Sequence, residues 1–156
     1  MRRLTSLASI ASAVLVAAIA LTGCASSRST IGITSAYVPQ PTTQGTTVAY
    51  LDIRNNGHAD RLVSVRTSVG GTVQLRARVE SSTGALVMRP VPDIPIPADS
   101  LVRLNPDSFQ LLITGAGPMH DGKDIWLQLT FADAGTIQVL AQVTNPQTGG
   151  SSYFLN

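Results

Sequence analysis

Cysteine is almost absent from this sequence, with Cys24 alone among 156 residues. One thiol excludes an internal disulfide, whatever the redox state of the compartment. Histidine is nearly as scarce, with only His58 and His120. Together these shortages leave no plausible nucleophile–histidine–carboxylate triad, and we expect no enzyme. Charge is thin too, at 13% of residues. The formal charge of +2 owes its sign to Arg2 and Arg3; without them nine basic residues face nine acidic ones. A chain this close to neutral has no electrostatic footprint for nucleic acid. Phosphate-cradling glycine patterns are missing: Gly115-x-Gly117 has no helix after it and reads as a loop. No stretch of the folded part carries a helical apolar period.

What the sequence does have begins at its N-terminus. Arg2-Arg3 precede an apolar run, Leu4 to Leu21, that ends in Leu21-Thr22-Gly23-Cys24. A positive start, a short apolar region and small residues before a cut form a secretory signal. The ending resembles the bacterial lipobox, whose cysteine becomes the lipidated first residue of the mature chain. Residues 1–23 are then a signal peptide, with Cys24 the site of lipidation. Two or three acyl chains would hold the protein to a membrane surface, which one chain does only marginally. The competing reading keeps Leu4–Leu21 as a membrane helix, at about 18 residues the minimum that spans. A twin-arginine export signal would need more than Arg2-Arg3. Residues 24–30, the cysteine and a small polar stretch, read as a flexible tether. The expected location is the extracytoplasmic face of a cell membrane.

From Ile31 to Val143 the chain alternates in short segments: 31–38, 47–54, 61–67, 72–80, 85–88, 101–104, 109–114, 125–131 and 136–143. In Thr72–Glu80, Val73, Leu75, Ala77 and Val79 face one way, and Gln74, Arg76, Arg78 and Glu80 the other. Asn55-Asn56-Gly57 and Gly70-Gly71 mark turns, where asparagine and glycine tolerate positive φ. Pro90, Pro92, Pro95 and Pro97 exclude a central strand between them, because proline removes ladder donors. About nine short strands without helices predict one all-β domain, an antiparallel Greek-key sandwich of cupredoxin or immunoglobulin type. Asp60, Asp107 and Asp133 read as turn residues bonded to nearby backbone. Trp126 reads as core or edge packing. Residues 144–156, with the apolar patch Tyr153-Phe154-Leu155, read as a frayed or loosely docked tail.

Several motifs, in order, resemble one family: 49–57 (AYLDIRNNG), 60–65 (DRLVSV), 88–91 (MRPV), 96–98 (IPA) and 127–131 (LQLTF). They resemble the periplasmic copper chaperones of the PCu(A)C family, cupredoxin-like sandwiches that carry Cu(I). The resemblance implies a soft site of a His, a Met and a later His-x-Met pair, suited to Cu(I). Its positions fall here on Arg76, Met88, Gln110 and Leu112. Only Met88 keeps a ligand. Arginine has no lone pair to donate, the Gln110 amide oxygen is hard for Cu(I), and Leu112 offers nothing. The expectation is a degenerate site with little or no metal binding and no required cofactor.

One alternative keeps copper handling through a relocated site of Met88, Met119 and His120, or through a site completed by an envelope protein partner. Neighbours on an extended chain point opposite ways, which weighs against Met119-His120; their plainer reading is a partly buried Met beside an exposed loop His. His58 is expected to be exposed. Arg76 and Arg78 share a strand face that could meet an anionic partner or a lipid headgroup, or could simply be solvated.

Overall fold

The computed structural model describes residues 29–41 and 45–147. The signal segment, Cys24, most of the tether and the Tyr153–Leu155 patch lie outside the described residues. Within them every regular element is a strand: β1 Ile31–Pro39, β2 Thr46–Asn55, β3 Asp60–Thr67, β4 Thr72–Glu80, β5 Leu86–Pro90, β6 Ile94–Ile96, β7 Ser100–Leu104, β8 Phe109–Thr114, β9 Asp124–Phe131 and β10 Thr136–Thr144.

Alternation decides which side of each strand goes in. In β2, Thr47, Ala49, Leu51, Ile53 and Asn55 are buried while the residues between them are more open. In β9, Ile125, Leu127, Leu129 and Phe131 are buried between open neighbours. Successive side chains point to opposite faces of a strand, so each strand gives one row to a single core. That core joins Val38, Leu51, Leu62, Leu75, Ile96, Leu111, Leu127 and Val143, every one at most 5% exposed.

The strands hydrogen-bond in the order β5-β4-β8-β7-β2-β1-β10-β9-β3-β6, with β2 also pairing β8. The all-β expectation holds, with two refinements. The described residues hold ten strands, because β6 is a three-residue strand inside the proline-spaced connection. It lies at the sheet edge against β3, where a strand can lack donors on one side. The pairing is also not wholly antiparallel. First strand and last strand meet in parallel, Tyr37 against Gln142, and β7 touches β8 in parallel at Leu104–Phe109.

Two polar side chains fix one end of the sandwich. Asn55, wholly buried, donates to the carbonyls of His58 at 2.6 Å and Pro97 at 3.1 Å, and its Oδ1 accepts from Gly57 N–H. Asp60, 4% exposed, accepts four hydrogen bonds: Ser29 Oγ–H at 2.5 Å, and the backbone N–H groups of Arg61, Asp133 and Ala134. Asp60 is thus more than a local turn former, because it ties the start of the domain to the β9–β10 turn 73 residues away. Ser29 and Thr30, at the end of the expected tether, are held there; the Thr30 carbonyl accepts from Asn56 N–H.

At the other end, Gly71 lets β4 approach β8. Its φ is +77°, and a Cβ there would lie 2.3 Å from the Thr114 carbonyl oxygen. A side chain fails on both counts.

Candidate metal site

The four positions that the family resemblance singled out come together on the outer face of β5, β4 and β8. Arg76 pairs with Gln110 on one side and with Pro90 on the other; Gln74 pairs with Leu112, and Arg78 with Met88. Directly paired residues point to the same face, and i, i+2 neighbours share it. Arg76, Met88, Gln110 and Leu112 therefore share one face across three adjacent strands, all of them half-buried. Val48, opposite Leu112, and Tyr50 carry this face onto β2, where Tyr50 packs against Tyr37 with ring centroids 5.3 Å apart. Burial pushes both phenols above their usual pKa, with Asp52 adding to the shift of Tyr37 and Tyr37 to that of Tyr50.

The chemistry of this face is set by Arg76. Its guanidinium donates to the Met88 carbonyl at 2.6 Å, and its Nε is buried without a hydrogen-bond partner. Hydrogen-bonding phase explains why that carbonyl is available. Val91 N–H bonds Leu75 O, and Ser81 N–H bonds Ala85 O, so odd-numbered residues of β5 bond to β4. Leu86, Met88 and Pro90 then direct their backbone groups to the free edge. Arg76 crosses β5 to satisfy one of these carbonyls, while Pro90 has no N–H to offer. Arg78, on the same face, is ion-paired with Asp107. Both cations that the sequence left open to an anionic partner thus have partners within the chain.

Met119 and His120 sit elsewhere. Met119 is 7% exposed and packs in the core, with its carbonyl accepting from Gln40 Nε2; His120 is exposed. Their loop follows Thr114, whereas Met88 is level with Ser108, whose carbonyl accepts from Arg78 N–H. Six strand residues, about 20 Å at 3.4 Å each, separate those levels. Met88 is not brought together with Met119 and His120. His58 is exposed in its turn, as expected.

Two residues stand out that sequence reasoning placed differently. Asp60 lacks any local signal for its role, since two of its donors are more than 70 residues distant. Trp126 is not a core residue: it is 44% exposed on the outer face of β9, and its apolar neighbours Ile125 and Leu127 hide that facing in the sequence.

A family profile described as LpqE-like lipoprotein matches residues 31–143. No curated protein matches the chain. Among solved structures, the copper-bound PCuAC domain from PmoF2 is 21% identical, with 74% of this chain and 93% of that one covered and a TM-score of 0.62. The apo PCuAC domain from PmoF1 is 18% identical over 74% and 94%, with a TM-score of 0.65. Cu(I)-bound DR1885 from Deinococcus radiodurans is 23% identical over 81% and 86%, with a TM-score of 0.58. At these identities the likeness is one of fold.

Proposed function

The chain belongs to the LpqE-like lipoprotein family, and from that premise we propose that it is a lipid-anchored extracytoplasmic module with a copper-chaperone fold and a lapsed Cu(I) site. Cys24 carries the lipid in this reading, and the domain acts through binding an envelope partner rather than through a metal of its own. The observation that carries it is the Arg76 guanidinium, lying across β5 to the Met88 carbonyl with Gln110 directly opposite. A fixed cation with no lone pair opposes a metal cation at that place, and the hard amide of Gln110 does not compensate. Met88 is left as the one soft donor of the four positions, which do not fit Cu(I).

The test is a Cu(I) titration of the domain from Ala25 onward against a chromophoric competitor. The expected result is that the competitor keeps the metal. One tightly held equivalent, lost in Met88→Ala or His120→Ala, would instead establish a working copper carrier. Lipidation is tested separately, by the mass of the N-terminal peptide from membrane-extracted protein.

A further inference from the structure

The β9–β10 hairpin carries an exposed apolar pair that the metal-site face does not involve. Trp126 and Leu140 are 44% and 47% exposed and lie opposite each other in register. The bonds Phe131 N–H to Gly135 O and Val143 N–H to Lys123 O make this a non-hydrogen-bonded pair, the kind in which facing side chains approach most closely. A shallow groove of about 270 Å³ runs beside it, lined by Arg66, Thr67, Ser68, Trp126, Gln128 and Gln138. Asp124 lies on the same face, two residues from Trp126, so Arg66 is offset by an acid and the face has no strong charge of either sign.

The way the chain enters the domain says what covers this pair. Ser29 is bonded to Asp60, which holds the backbone of Asp133 and Ala134 in the β9–β10 turn. The anchor segment thus leaves the domain at the tip of the hairpin that bears Trp126 and Leu140. From Phe131 back to Trp126 is five strand residues, about 17 Å. From Ser29 to Cys24 is also five residues, at most about 18 Å when extended. At full extension a lipid on Cys24 is therefore within range of the apolar pair. Tryptophan favours the membrane–water interface, where its indole is half apolar and half wet.

We propose that the outer face of the β9–β10 hairpin rests on the bilayer, with Trp126 and Leu140 entering its interfacial layer. The inference rests on the lipid-anchor reading for its geometry. Two side chains bind too weakly to dock a free domain, but a short leash makes the contact intramolecular and raises its effective concentration. With Arg66 and Asp124 offsetting each other, docking is independent of salt and of anionic lipid.

Trp126 is the sole tryptophan and Cys24 the sole cysteine, so the contact can be measured directly. The chain from Cys24, which contains every described strand, is coupled through its thiol to a maleimide lipid in phosphatidylcholine vesicles. The expected result is a blue shift of the indole emission on coupling and severalfold quenching by brominated acyl chains, both lost in Leu140→Asp with the domain still folded. Unchanged emission on coupling overturns the proposal. So does emission already blue and shielded from acrylamide in the uncoupled chain, the signature of cover by residues 148–156, or by a second copy if sedimentation shows a dimer. Because coupling is chemical, its outcome is independent of whether cells lipidate Cys24, which the peptide mass decides.

Discussion

Asp60 shows how a single carboxylate can close a sandwich. Burial raises its pKa, but the hydroxyl of Ser29 and the amides of Arg61, Asp133 and Ala134 outweigh burial and leave it below the usual carboxylate value. A group whose folded pKa is depressed adds stability above its unfolded pKa, about 3.9, and loses it as pH falls through the folded value. Acidification below about pH 4 is therefore expected to lower the melting temperature of the wild type more than that of Asp60→Asn. At neutral pH the same variant, which turns an amide N–H toward backbone donors, is expected to lose on the order of 2–4 kcal/mol in urea unfolding. Nothing near Asp60 in the sequence announces this. Its turn-like neighbours, Gly57 to Ala59, explain only the local bond to Arg61, while the donors at 133 and 134 are supplied by the fold. The relation of Arg76 to Gln110, by contrast, was legible. The resemblance to the copper-chaperone family assigned both to one set of positions, and the β4–β8 register pairs them directly.

At the scale of the element, β5 is an edge strand with a guarded free side. Arg76 takes the Met88 carbonyl and Pro90 lacks an N–H, which interrupts the row of free backbone groups that another chain would pair with. Arg76→Ala is expected to cost about 1 kcal/mol and to raise self-association at high protein concentration in sedimentation velocity. Arg78→Ala, whose partner Asp107 is away from that edge, is expected to leave association unchanged. The β4–β8 pair depends on a backbone approach: Gly71→Ala is expected to lose about 2–4 kcal/mol in thermal or urea unfolding, from combined strain and clash. Long alternating strands such as β2 and β4 were readable from their period. The three-residue β6 was not, because two prolines flanking its last apolar residue outweigh two isoleucines in any local reading. The facing of Trp126 was equally hidden, since an apolar residue on each side leaves no alternation to read.

For the whole molecule, likeness of fold to copper-bound domains and the proposed loss of copper chemistry are compatible, because the sandwich is held by its core rather than by the outer-face site. Arg76→His, Gln110→His and Leu112→Met together are expected to convert a chain that yields Cu(I) to the competitor into one that retains one equivalent, with little change in melting temperature. Failure of this variant to bind would mean that the backbone of β4, β5 and β8 has drifted from a geometry able to surround the ion.

The parallel contact of β1 with β10 sets a condition on time as well as on shape. Tyr37 finds its neighbour Gln142 only when nearly the whole domain is present, and among the described residues β2 is the only other strand at its side. Chains dominated by such distant pairings fold slowly, so a chain emerging in sequence, from a ribosome or across a membrane, holds its first strand half-paired until its last arrives. Whatever shields nascent apolar strands must therefore stay with this one until the tenth strand is out.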